Sequence, residues 1–232
     1  MAGILTLSAC DAEIPAETGL NFTGSGTPPP LSNRYLALGD SYTIGEAVPE
    51  DQRFPLQLQQ MVKEEGLSLP TPEIIARTGW TTDELAENIR QIKPRGPYAL
   101  VSLLIGVNNQ YRGRDTAEYR LQFRELLQTA VELAGGNSSR VLVLSIPDYA
   151  YTPFGQGSSP DKISREIDQF NQINRQETKK TSAVYMDITP ISRRGLAEPE
   201  LVTADKLHPS GAMYRLWAEL MLPYARRILR GW

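Results

Sequence analysis

The stretch Tyr35-Leu36-Ala37-Leu38-Gly39-Asp40-Ser41-Tyr42-Thr43 decides how the chain is read. It opens as a short apolar run with the character of a buried strand. It breaks off in Gly-Asp-Ser, where the glycine allows a sharp turn without a Cβ clash. Ser41 then stands at the carboxyl end of a strand, where open α/β sheets place their ligands. A serine so presented is a candidate nucleophile. Its hydroxyl attacks poorly, however, unless a neighbouring base removes the proton.

The chain offers one imidazole for that purpose. Its single histidine lies in Ala204-Asp205-Lys206-Leu207-His208-Pro209-Ser210. Asp205 precedes His208 by three residues, so one short loop can aim the carboxylate at the ring. That contact fixes the tautomer and stabilises the imidazolium formed during proton transfer. Pro209 is expected to start the last helix, where its missing N–H costs nothing.

Two further stretches fit the same chemistry. Ala76-Arg77-Thr78-Gly79-Trp80-Thr81 follows one apolar run, and Ile105-Gly106-Val107-Asn108-Asn109 ends another. A glycine N–H and an asparagine amide at strand ends can both donate to a developing oxyanion. With these four blocks in order, the sequence resembles the SGNH (GDSL-type) hydrolase superfamily. The blocks are Gly-Asp-Ser at Ser41, a lone Gly79, Gly-x-Asn at Gly106 to Asn108, and Asp-x-x-His at Asp205 to His208. The resemblance covers about residue 34 to the C-terminus. It implies an ester hydrolase without cofactor or metal, in which Ser41, Asp205 and His208 are catalytic. The Ser41 and Gly79 N–H groups and the Asn108 side chain would form the oxyanion hole. Two positions depart from the family pattern: Tyr42 replaces the leucine that often follows the serine, and Asn109 stands where many members carry aspartate.

Read along the chain, strands alternate with helices. Apolar runs ending at Gly39, Ala76, Ile105, Ile146 and Asp187 read as five strands. Between them come amphipathic or capped segments: residues 51–66, 81–91, 115–133 and 159–178. The Thr81-Thr82-Asp83-Glu84 capping box and the Asp115 cap open two of these. A final stripe from Met213 to Ile228 contains Pro223, expected to kink it. This alternation predicts an α/β three-layer sandwich around a parallel sheet. The resemblance implies five strands in flavodoxin-like order. All the chemical residues then fall on one edge of the sheet.

Composition excludes other classes. The chain has 232 residues, 41% hydrophobic and 22% charged, with net charge −3. That suits a single domain with a substantial core. No basic stripe interleaved with aromatics points to nucleic acid. No apolar run is long enough to span a bilayer. One histidine and one cysteine, Cys10, do not make a zinc site.

The N-terminal region reads separately. Leu7-Ser8-Ala9-Cys10 looks like a bacterial lipobox whose cysteine would be acylated, although a basic n-region and a full apolar segment are lacking. Residues 1–10 are therefore expected to be a residual lipoprotein signal. Residues 11–33, with Gly24-Ser25-Gly26-Thr27-Pro28-Pro29-Pro30, have the composition of a tether. Residues 34–232 form the hydrolase domain. The expected location is the bacterial envelope, attached by lipid rather than by a spanning helix.

Several other residues are candidates for the substrate groove. The aromatic loop from Asp148 to Gly157 carries Tyr149, Tyr151 and Phe154, which either line the groove or pin the loop to the core. Trp80, Asn109, Gln110, Tyr111 and Arg112 lie close to the donor blocks. Asp40 is expected to hold the turn by bonding nearby backbone N–H groups rather than to serve as the triad acid. An ester substrate of acyl or lysophospholipid type is the leading expectation. A carbohydrate O-deacetylase and a non-catalytic, lipid-anchored binding protein are the alternatives.

Overall fold

The computed structural model describes residues 32–231. The stretch expected to be a lipobox and residues 11–31 of the expected tether lie outside them, whereas residues 32 and 33, also expected in the tether, belong to the first strand. Five strands form one sheet: β1 (Ser32–Gly39), β2 (Glu73–Ala76), β3 (Tyr98–Leu104), β4 (Val141–Leu144) and β5 (Val184–Met186). Their order is β2-β1-β3-β4-β5 and every pairing is parallel. This is the expected flavodoxin-like order, and its switch point lies between β1 and β3. β3 and β4 are buried along their whole length, as strands covered on both faces must be.

Helices α1 (Ser41–Ile44), α2 (Phe54–Glu64), α3 (Thr82–Ile92), α4 (Val107–Tyr111) and α5 (Thr116–Leu133) precede β4. Helices α6 (Pro153–Gln156), α7 (Pro160–Thr178), α8 (Thr189–Ser192) and α9 (Gly211–Leu229) follow it. The predicted caps form. Asp115 accepts from the N–H groups of Ala117 and Glu118 at 2.9 and 3.0 Å, and Glu84 accepts from the Thr81 N–H at 2.9 Å. α9 begins later than expected. Ser210 caps it, accepting from Met213 N–H, so Pro209 lies before the helix. Pro223 sits inside α9, which continues to Leu229.

Register explains where the site forms. Gly39 pairs with Ala76 on β2 and with Leu104 on β3. Three adjacent strands therefore end at one level. The residues a few positions further on, at 41, 79 and 106–108, emerge side by side. Gly39 is required for space rather than for an unusual backbone angle. A Cβ there would lie 2.1 Å from Thr43 Oγ1 and 2.4 Å from the Leu104 carbonyl oxygen. The last segment is brought to the same edge by α9, whose Trp217 and Met221 are fully buried beside α2.

Candidate active site

Ser41 opens α1 directly after the strand. N–H groups in the first turn of a helix have no intrahelical acceptor, so the Ser41 N–H is free to bind an anion. Asp40 caps the helix, accepting from Tyr42 N–H at 3.0 Å through Oδ1. Its second oxygen, Oδ2, is buried without a hydrogen-bond partner. Burial pushes the Asp40 carboxyl up to about 7, against the opposing Tyr42 N–H bond. Asp40 thus holds the turn and makes no contact with the imidazole.

His208 is held by Asp205. The Nδ1–Oδ2 distance is 2.6 Å. Oδ1 of the same carboxylate accepts from Leu207 N–H at 2.8 Å, His208 N–H at 2.9 Å and the Thr203 hydroxyl at 2.6 Å. Desolvation acts to raise the Asp205 pKa. The hydrogen bonds from Thr203, the His208 ring and the two backbone N–H groups outweigh it and hold the carboxyl well below the usual range. The loop is tight enough to put Lys206 at φ 68°. The Tyr42 ring meets the imidazole edge-on at 5.6 Å between centroids, and Trp217 lies 6.5 Å beyond Tyr42. The aromatic at the position after Ser41 therefore packs against the imidazole.

Gly79 and Asn108 complete the arrangement. Gly79 has φ +88°, which disfavours any side chain. Asn108 donates through Nδ2 to the Trp80 carbonyl at 2.9 Å, leaving the second amide hydrogen available. The 107–112 segment holds residues 79–82 at two more points. Arg112 Nη2 donates to the Gly79 carbonyl at 2.6 Å, and Asn109 is joined to Thr82. Gly106, just before α4, has φ +129°, and a Cβ there would strike the Tyr119 hydroxyl at 2.4 Å.

Ser41, Gly79, Asn108 and His208 line one cavity of about 220 Å³. No hydrogen bond joins the Ser41 hydroxyl to the imidazole; such contacts tighten in the Michaelis complex. The remaining walls include Tyr111, Tyr149 and Phe154. Tyr149 is buried and packs between the other two, with centroids 6.3 Å from Tyr111 and 6.4 Å from Phe154.

The other groove candidates sit elsewhere. Trp80 packs partly buried against the core, and only its carbonyl reaches the site, through Asn108. Asn109 is buried; Oδ1 accepts from Thr82 N–H at 3.1 Å and Nδ2 donates to the Thr82 hydroxyl at 2.7 Å. Tyr151 turns away, its ring 5.9 Å from the Arg193 guanidinium. Gln110 is buried and donates to Glu166 at 2.8 Å. Arg112 grips the Gly79 loop rather than lining the cavity. The reason is common to several of them: Asn109 and Arg112 brace the neighbouring segment 79–82 and Gln110 is held by Glu166, so only part of the 107–112 segment faces the cavity. Thr203 carries no motif, and its role at Asp205 was not legible.

Residues 37–216 match the GDSL-like Lipase/Acylhydrolase family. The chain belongs to that family. It is thereby placed among ester hydrolases of the SGNH type. The family match spans the Gly-Asp-Ser turn, the Gly79 loop, the Gly-x-Asn turn and the Asp205–His208 loop. Solved structures share the fold at low identity. One is TesA, 19% identical with TM-score 0.67, covering 84% of this chain and 99% of that one. Another is the psychrotrophic esterase EstA from Pseudoalteromonas sp., inhibited by monoethylphosphonate: 18% identical, TM-score 0.62, coverage 86% and 100%. A third is a variant of Axe2, an acetyl xylan esterase from Geobacillus stearothermophilus: 20% identical, TM-score 0.63, coverage 84% and 95%. No curated protein matches the sequence. This family member therefore shares its fold with TesA, with an esterase and with an acetyl xylan esterase.

Proposed function

We propose that this family member is a serine esterase that cleaves apolar acyl esters through an acyl-enzyme. Ser41 attacks the ester carbonyl and His208 takes its proton. Asp205 keeps Nδ1 protonated, so that Nε2 serves as the base. The N–H groups of Ser41 and Gly79 and the Asn108 amide stabilise the oxyanion. His208 then protonates the leaving alcohol and activates water for deacylation. The observation that carries this reading is the 2.6 Å Asp205–His208 contact at a cavity that Ser41 also lines.

The acyl preference rests on the cavity wall. Its aromatic faces and Val107 and Leu207 offer apolar contact, and no lysine or arginine lines it. An uncharged acyl group, from a lysophospholipid or a simple ester, suits such a wall. Acetylated carbohydrate is the second reading, favoured by Tyr111, which is 60% exposed at the cavity and is available to stack on a sugar ring. Labelling by a fluorophosphonate probe, lost in Ser41→Ala, tests the nucleophile. Absence of labelling in folded protein would favour a binding protein. Rates on p-nitrophenyl esters from acetyl to long acyl, beside acetylated sugars, separate the two substrate classes.

We further propose that Leu7-Ser8-Ala9-Cys10 is a lipobox, and that acylated Cys10 anchors the protein in the bacterial envelope. The tether-like composition of residues 11–33 supports this reading. Intact-mass analysis of membrane-extracted protein tests it; unmodified Met1 at the N-terminus would overturn it.

A further inference from the structure

The carboxylate that orients the base is itself poorly sheltered. The Asp205 side chain is 33% exposed, so packing alone does not fix its rotamer. Hydrogen bonds must do so, and their distribution is lopsided. Oδ1 receives three donors and Oδ2 receives only the imidazole. Two of the three donors on Oδ1 are backbone N–H groups inside the loop. The third is the Thr203 hydroxyl, the shortest of the three.

Thr203 also closes the loop from outside. Its N–H donates to the His208 carbonyl at 2.9 Å, and its own carbonyl accepts from Lys206 N–H at 3.0 Å. The His208 carbonyl lies 3.1 Å from the same hydroxyl. A hydroxyl has one proton, and the charged, nearer Asp205 oxygen is the stronger acceptor. One residue thus fixes the backbone at 206 and 208 and the carboxylate between them.

We propose that Thr203 is a positioning residue for the catalytic pair. By occupying Oδ1, its hydroxyl presents Oδ2 to His208 Nδ1 and keeps the carboxylate a single-faced acceptor. This rests on the proposed roles of Asp205 and His208 in the reaction, but the contact itself can be tested without turnover. Besides Asp205, the titratable groups around the imidazole are Tyr42, whose ring meets it edge-on, and Tyr111 and Tyr149 in the same cavity wall; all three are common to every variant below.

The test uses untagged protein, whose imidazole NMR signals come from His208 alone because the chain has one histidine. Thr203→Val keeps the shape and removes the hydroxyl; Thr203→Ser restores it. In the wild type and in Thr203→Ser, the Nδ1 proton is expected as a slowly exchanging downfield resonance. In Thr203→Val it broadens or disappears, and the imidazole titration midpoint moves. On an ester the same variant loses about tenfold in kcat with KM within about twofold, as for a group acting on the transition state. An unchanged downfield proton and titration in Thr203→Val overturn the proposal. So does a Thr203→Ser variant that fails to recover them, since the residue would then be needed for packing. If the spectra behave as expected but the wild type hydrolyses no ester and takes no fluorophosphonate, the esterase reading fails and the positioning contact stands.

Discussion

The Phe154 N–H donates to the Lys206 carbonyl at 3.0 Å. This bond ties the aromatic loop to the loop that carries His208. Phe154 adds its ring to the cavity wall from the same position, so one residue contributes to both the wall and the loop geometry. The two roles separate by substitution. Phe154→Ala keeps the backbone bond and removes the ring; we expect kcat/KM to fall about tenfold on octanoyl esters and by much less on acetyl esters. Gly155→Ala would put a Cβ 2.0 Å from the Tyr149 carbonyl oxygen and force the turn to shift. It should lower turnover on all chain lengths and lower the melting temperature. Equal losses on acetyl and octanoyl esters for Phe154→Ala would argue against an acyl-binding role for the ring.

His208, the base in the proposed mechanism, is the one histidine of the chain. His208→Ala should cost at least about a thousandfold in kcat, with the fold intact, as for members of comparable triads. Near-normal turnover by a variant with an unchanged melt would rule out the assignment.

Two adjacent asparagines should fail in different ways. In the proposed mechanism Asn108→Ala removes the second amide hydrogen, whose acceptor forms only in the transition state and tetrahedral intermediate, along with the bond to the Trp80 carbonyl. Roughly 3 kcal/mol, about a hundredfold in kcat with little change in KM, is expected. Asn109→Ala strands a buried Thr82 N–H, which costs about 1–3 kcal/mol of stability. Its activity loss should stay under about tenfold, while its thermal midpoint drops. The reverse pattern, measured on one short-chain ester, would overturn the oxyanion assignment.

Arg112 acts at one remove. Its guanidinium grips the Gly79 carbonyl and reaches Glu84 at 3.3 Å. Arg112→Ala should lower kcat several-fold through a loosened Gly79 loop and leave fluorophosphonate labelling of Ser41 in place. Loss of binding with unchanged kcat would instead assign Arg112 to substrate contact.

Stability should depend on pH through Asp40. Its folded carboxyl stands near 7, above the ordinary 3.8. The folded state therefore holds a proton that the unfolded chain releases first. The resulting stabilisation is fully present below about pH 4 and is lost as pH rises through about 7. Asp205 has the opposite sign: its depressed carboxyl adds stability above the ordinary carboxylate range, lost as pH falls toward strong acid. Asp40→Asn retains an acceptor for Tyr42 N–H but cannot ionise. The difference in melting temperature between variant and wild type should change steadily between pH 4 and 7 in favour of the variant. A difference that stays flat over that range would show that Asp40 ionises freely in the folded protein.

Much of this architecture is legible in the residues because strong local signals agree. The apolar runs at 98–105 and 140–146 give buried strands, and Asp115 and Thr81 to Glu84 mark helix starts. The short motifs locate Ser41, Gly79, Asn108 and His208. What escaped reading has no periodicity to reveal it. α4 has only five residues, too few for a helical pattern, so the bracing roles of Asn109 and Arg112 are visible only in three dimensions. Trp80 and Tyr151 show the same limit: adjacency to a motif says nothing about which way a side chain turns. Thr203 is a loop threonine among many. Its hydroxyl gains meaning only because the chain folds back on Asp205.

The level termination of β1, β2 and β3 has a consequence for synthesis. Ser41, Gly79 and Asn108 are all translated, and their strands can pair, before the Asp205–His208 segment leaves the ribosome. In the proposed mechanism, a nascent chain at that stage displays the nucleophile and oxyanion donors without the general base. On that mechanism, hydrolytic competence would arrive as a single late event, when α9 packs beside α2 and carries His208 into place. Until then the growing polypeptide can meet esters without cleaving them.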